Sequence, residues 1–230
     1  MSRVSGGFCA RTTSLTYSIG CFGLIFALAT LPSGMSAAEI GGMTYAVDTT
    51  LSDGDFWTAG NITINPGITV DVPGAATVTF NAGAKTLNGG GSFLNSTGGF
   101  LTLSGAVDIT LDGTNITNDG TTNWLSGNSN KLFRGTGQFI NNGTFNHAHG
   151  GSSDNVEFFN SVAFVNSASG TLDFQDQGDL RLHDAANFLN SGLVLNSGAG
   201  GDPSFIFSTA GTTGGFANLA GAEVRSEAGL

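Results

Sequence analysis

The motif Phe-x-Asn returns along this chain at nearly one interval, and that return constrains the fold more than any other feature. "FINNGTF" starts at Phe139, "FLNSTGGFL" at Phe93, "FVNSASGTLDF" at Phe164, "FLNSGLVL" at Phe188 and "FANLAGAEV" at Phe216. Phe139 to Phe164 is 25 residues, Phe164 to Phe188 is 24, and Phe188 to Phe216 is 28. Phe93 to Phe139 is 46, close to two periods, and "ITNDGTTNW" supplies the copy between them with Ile116 in the Phe position. Repeats of about 20 to 50 residues indicate solenoids or propellers, and a propeller blade takes about 40. A shorter unit holds three short strands with their turns, which is one coil of a right-handed parallel β-helix.

Each copy then has one structural job. The Phe points inward and stacks on the Phe of the next coil, about 4.8 Å away. The Asn sits at the bend, where its side chain can hydrogen-bond to backbone and where it tolerates left-handed geometry. Gly takes positive φ at the following corner. The repeat positions are Phe93 and Asn95; Phe139, Asn141 and Gly143; Phe164, Asn166 and Gly170; Phe188, Asn190 and Gly192; and Phe216, Asn218 and Gly221. Period-two alternation supports strands: "NITINPGITVDV" puts Ile62, Ile64, Ile68, Val70 and Val72 on one face around a Pro66-Gly67 turn, and "ATVTF" and "AVDITLDG" alternate likewise. A β-sandwich is the competing all-β reading, because it also spaces strands every 8 to 12 residues. It does not explain one recurring interval.

Composition agrees with strands and turns. Only 10% of the 230 residues are charged, while 37 are Gly and 18 are Phe. Disordered chains show the reverse, many charges and few aromatics. Residues 1–38 read as a secretory signal: Arg3 and Arg11 precede the apolar run "IGCFGLIFALATL", Pro32 and Gly34 break it, and Ser36, Ala37 and Ala38 offer small residues for cleavage. That run is too short to span a bilayer comfortably. Both cysteines, Cys9 and Cys21, lie inside this segment, so an exported product carries no disulfide. Removing Arg3 and Arg11 leaves 5 basic against 17 acidic residues, and 5 − 17 = −12. Such a charge excludes attraction to nucleic acid or anionic membrane. The expected organisation is a signal over 1–38, an N-terminal cap over 39–60 carrying Phe56 and Trp57, and a repeat domain over 61–230.

"LDGTNITNDGTTNWLSGN", "GTGQFINNGTFNHAHGG" and "FVNSASGTLDF" resemble the imperfect coils of bacterial adhesin-like, autotransporter-passenger-like β-helix proteins. The resemblance covers about 60–230. It implies an exported, extracellular or cell-surface protein that is not an integral membrane protein after signal removal, adhesin-like or structural in role, with glycans or cell-surface proteins as partners. Passengers of this kind carry a C-terminal barrel or anchor, which would associate the chain with the outer membrane. This chain stops at "RSEAGL" without a polar capping segment, so a fragment of a longer protein is expected.

Chemistry-bearing clusters are few. "DFQDQGDLRLHD" gathers Asp173, Asp176, Asp179, Arg181, His183 and Asp184. The four aspartates are candidate oxygen ligands for Ca²⁺. Asp176, Asp179 and Arg181 are candidates for a carbohydrate-active site, lyase- or hydrolase-like, which is the alternative function. The plainer reading is an outer strand face with Leu180 and Leu182 turned inward. In "HAHGGSSD", His147, His149 and Asp154 fall short of a zinc site, which takes three or four ligands at known spacing. The expected protein is therefore non-catalytic and needs no cofactor.

Overall fold

The computed structural model describes residues 36–125, 131–148, 156–175, 180–198, 205–207 and 214–227. Residues 1–35, and with them most of the segment read as a signal, lie outside the described residues. The chain is a parallel β-solenoid. Consecutive strands take turns among three sheets, each of eight strands among the described residues, and every strand pairs with the third strand before and after it. The first wall contains Gly83–Asn88, Val107–Asp112, Lys131–Gly135, Val156–Phe158 and Leu180–Leu182. The second contains Thr69–Val72, Ser92–Asn95, Asn115–Asn118, Gln138–Asn141, Ala163–Asn166 and Asn187–Asn190. The third contains Thr77–Phe80, Phe100–Ser104, Thr121–Leu125, Thr144–His147, Thr171–Phe174 and Leu193–Asn196. The segment 39–60 contributes one short strand to each wall, Thr44–Tyr45, Thr49–Thr50 and Phe56–Trp57. No helix occurs among the described residues.

Alternation decides what fills the tube. On the second wall, Val70, Phe93, Ile116, Phe139, Phe164, Phe188 and Phe216 occupy one column through continuous parallel register. Ile116 thus stands between Phe93 and Phe139, as its spacing implies. All but Phe216 are at most 1% exposed. Phe139 and Phe164 lie 5.3 Å apart and 1° from parallel, and Phe188 meets Phe164 edge-on at 5.2 Å. In the coil of Phe139 each wall supplies one ring: Phe133 and Phe145 pack at 5.4 and 5.3 Å on either side of it. Such pairs add about 0.5–1.5 kcal/mol each beyond burial. The Pro66-Gly67 turn becomes the corner between first and second walls, with Ile62, Ile64, Val70 and Val72 all 0% exposed.

The asparagines correct the sequence reading. Among the described residues only Ala75, Asn160 and Asp184 have positive φ outside glycine, so no asparagine of the repeat is left-handed. Each one ends its strand and turns inward, two residues beyond the Phe. Asn95, Asn118, Asn141, Asn166 and Asn190 are 0% exposed. The Nδ2 of each donates to the Oδ1 of the next over 2.7–2.8 Å, and the ladder ends on Asn218. The same Nδ2 also donates to a carbonyl in the next coil, that of Thr121, Thr144, Thr171 or Leu193, at 3.0–3.1 Å. The ladder starts at Asn95 because Val72 occupies that position one coil earlier, and Asn95 Oδ1 accordingly has no donor among the described residues.

The glycines differ from expectation as well. Gly221 has φ near 87°, but Gly143, Gly170 and Gly192 are not in the left-handed region. Their reason is close approach. A Cβ at Gly143 would run into the Gly120 carbonyl and the Asp119 backbone of the coil beneath, and one at Gly192 into the carbonyls of Ser167 and Gly170. The corner beside the ladder stacks too tightly for any side chain.

Two stability outcomes follow from this packing. Phe164→Asp buries an unpaired charge in the ring column and is expected to abolish cooperative unfolding at room temperature, a loss above ~4 kcal/mol; a wild-type melt would refute the inward stack. Asn141→Leu removes the side-chain acceptor of Asn118 and the asparagine donor of both Asn166 Oδ1 and the Thr171 carbonyl. Its expected cost is about 3–5 kcal/mol at about 1–3 per orphaned group. Asn142→Ala, one residue along at the half-buried turn, should cost under about 1 kcal/mol. Urea unfolding of the two variants, side by side, checks the contrast.

Candidate functional site

Charge on the strands' outward faces gathers on the first wall. Arg134 Nε lies 3.2 Å from both oxygens of Asp108. Its guanidinium covers the ring of Phe159 in the next coil, 4.6 Å from the centroid. On the other side of that ring, His183 stacks at 4.2 Å and 3° from parallel. Glu157 is only 6% exposed although its strand position faces outward. One of its oxygens is 3.2 Å from His183 Nε2 and the other 3.8 Å from Arg181. Four successive coils are thus tied by one strip of carboxylate, guanidinium, ring and imidazole. Register explains the assembly: Glu157 pairs with Arg181 across the wall, and Phe158 with Leu182. Sequence reading picked out Arg181 and His183 but missed Glu157 and Phe159. Only knowledge of the pairing of "VEFF" with "LRLH" brings them together.

Of the aspartates proposed as cation ligands, the two described ones, Asp173 and Asp184, stand at different parts of the coil. Asp173 lies on the third wall, 8% exposed, where its Oδ2 accepts from Gln175 Nε2 at 3.0 Å and Ser197 Oγ at 2.9 Å. Asp184 sits at the corner after the first wall with φ near 56°, accepting from the Asn160 amide at 3.1 Å. Asp176 and Asp179 lie outside the described residues, as do His149 and Asp154. Among the described residues no three His, Cys, Asp or Glu side chains gather as a metal centre. Leu180 and Leu182 do point inward, 2% and 0% exposed. His147, weighed above as a metal ligand with His149 and Asp154, is a core residue: it is 0% exposed and stands between Trp124 and Phe174 in the third wall. Its place at the end of "TFNH", two after Phe145, is the alternation signal for that.

Lys85 is the other surprise. It shares the inward face with Leu87 and is 1% exposed. Its Nζ donates to the carbonyls of Thr58 and Ala82 at 2.9 and 3.2 Å and lies 5.8 Å from the Trp57 ring centroid. Burial pushes its pKa down, partly offset by the charge of Glu39. Nearby, Glu39 is raised by burial but held below the usual range by N–H donors, chiefly from Thr58 and Gly41. Tyr45, 8% exposed, is pushed up to about 12 by burial and by the charge of Asp55. These groups close the N-terminal coil, where Ala38 N also donates to Asp55 at 2.9 Å and Thr77 N to Asp53 at 2.9 Å.

No protein-family model, no curated protein and no solved structure matches this chain.

The N-terminal coils therefore set a pH profile. Between pH 10 and about 12 the unfolded chain has lost the Tyr45 proton and the folded chain keeps it, so stability falls as pH rises through that window. The expected fall is about 2–3 kcal/mol, at ~1.4 per unit. Lys85 acts in the opposite sense: its folded pKa lies below the unfolded one, so stability rises as pH approaches 10.5 from below. Denaturant titrations from pH 8 to 12 should show a rise followed by a fall. Tyr45→Phe should keep the rise and lose the fall; an unchanged fall would show that the phenol is not the group responsible.

Proposed function

We propose that this chain is an exported, surface-displayed β-solenoid whose role is structural and adhesive, not catalytic. The observation that carries the reading is where the repeat is used. The recurring Phe and Asn face the core, and the recurring Gly sits where coils touch, so the interval is accounted for by building a rod. What varies along the rod is its outward surface, and a rod with variable outer walls is suited to presenting extended contacts. Export is supported by the charge, apolar run and small residues of 1–38. The resemblance of the coils to adhesin-like and passenger-like proteins supports surface display.

The test is expression of the full chain in a Gram-negative host. Cleavage after Ala38 should give a product that starts at Glu39, is released or displayed, and binds cell surfaces or glycans at roughly micromolar concentration. A product that retains Met1 in the cytosol overturns the export. Turnover of any polysaccharide across a broad panel would move the protein to the carbohydrate-active class.

A further inference from the structure

We infer that the outer face of the third wall is a binding surface for an uncharged, hydroxyl-rich glycan lying along the solenoid axis. This rests on the adhesive reading above and names the surface and the ligand class. The three walls present different chemistry outward. The first carries the strip of Asp108, Arg134, Glu157 and Arg181. The second carries an aliphatic column, Leu94, Ile140, Val165 and Leu189, interrupted by Thr117. The third carries hydroxyls and amides.

Parallel register aligns Thr77, Phe100, Thr121, Thr144 and Thr171 in one outward column. Beside it runs a second, Thr79, Thr102, Asn123 and Asn146. Neither contains a charge until the second column reaches Asp173. The threonines are half-buried, and the Oγ1 groups of Thr121, Thr144 and Thr171 make no hydrogen bond with the described residues. Their carbonyls are engaged by the asparagine ladder, which holds the strands in register. Asn146 Nδ2 donates to Asn123 Oδ1 at 2.9 Å, which fixes both amides. The result is an array of hydroxyls and amides, interrupted by one ring, spaced ~4.8 Å apart over five coils and roughly 19 Å long, with unbonded hydroxyls in three successive coils.

Phe100 stands in this array 40% exposed, with Thr77 and Thr121 on either side along the column. A ring presented among free hydroxyls offers an apolar surface for the C–H face of a sugar, while the threonines exchange hydrogen bonds with its hydroxyls. Charge chooses among ligands. The whole chain carries −10, and this face has no basic group before Arg225, so an acidic polysaccharide or nucleic acid is repelled and gains no ion pair. A neutral polymer suffers no such penalty. Its repeated units match a surface that itself repeats, so that individually weak contacts add along the chain.

The test is co-sedimentation of the full chain with insoluble neutral polysaccharides, cellulose and chitin, and with polygalacturonate gel as the acidic comparison. The chain should sediment with at least one neutral polymer and not with polygalacturonate. Phe100→Ala should weaken binding about tenfold and Thr144→Glu should abolish it. Both positions face outward, so melting temperatures should stay within a few degrees of wild type. Phe133→Tyr, altered in the core, should bind as wild type wherever it folds. Failure to sediment with either neutral polymer, equal sedimentation with polygalacturonate, or wild-type binding by Phe100→Ala and Thr144→Glu each overturns the assignment. If the exported chain still adheres to cells while those two variants adhere equally well, only the third-wall surface is wrong. If the chain is not exported, the adhesive reading fails whatever the sedimentation shows.

Discussion

The interaction on which the rest of this structure depends is the amide ladder running from Asn95 to Asn218. A parallel stack has no hairpins to hold its register; each coil must find its level against the one before it. A purely apolar column would tolerate a slip of two residues, because every second residue would still point inward. An asparagine would not. Its Nδ2 must meet an Oδ1 and a specific backbone carbonyl in the next coil, and a slip strands both in an apolar interior. The ladder therefore makes misregister expensive at one position in every coil from Asn95 to Asn218. The glycine beside it permits the close stacking that the ladder needs, since a side chain there would hold the corner apart. The two features together give the Asn-x-Gly signature, with Asn141 and Gly143 or Asn190 and Gly192 two residues apart.

Seen this way, the variation in coil length has a location. The ladder partners are separated by 23, 23, 25, 24 and 28 residues, yet their side-chain contacts are 2.7–2.8 Å throughout. Extra residues are absorbed in connections between strands, not within the ladder strands. The asparagine-to-glycine corner itself comes in two lengths, two residues at Asn141 and four at Asn166, and in both the glycine amide is bonded to backbone. Length is free where the chain turns and fixed where it stacks.

Fold class was legible because its signal is periodic twice over: alternation gives strands, and the Phe-x-Asn interval gives coils. Phe139, Phe164 and Phe188 could be placed in one column from spacing alone. The role of the asparagine was not legible in the same way. Turn propensity suggests a left-handed bend, but that expectation describes one isolated turn, and the ladder exists only between turns of neighbouring coils. The same gap explains the candidate sites. Arg181 and His183 are visible as charged residues on an alternating strand, whereas their partner Glu157 comes from the coil before. Lys85 is the instructive miss. It obeys the alternation that places Leu87 inward, but lysine is so rarely buried that composition overrules pattern, until two carbonyls and the Trp57 ring are seen waiting for its ammonium.

The division of labour between inside and outside follows from these constraints. From Asn95 to Asn190 each coil commits its inward positions to rings, aliphatic groups and one amide, and its corner to a glycine, which leaves only the outward positions free to differ. With 10% charged residues, few charges are available for three walls; most of those that the structure brings together fall on the first, where Glu157 is covered by Arg181 and His183, and the rest at the C-terminal end of the third, where Arg225 meets Glu223 and Glu227. The other walls are left with surfaces made from the cheapest outward residues of a strand, aliphatic on the second and hydroxyl on the third. A solenoid cannot present those residues singly. Whatever faces outward in one coil is aligned by the ladder with its counterpart in the next, so even undistinguished threonines become a regular array. Recognition by such a protein is accordingly a property of a column, and the chemistry of that column can be changed one coil at a time without disturbing the core behind it.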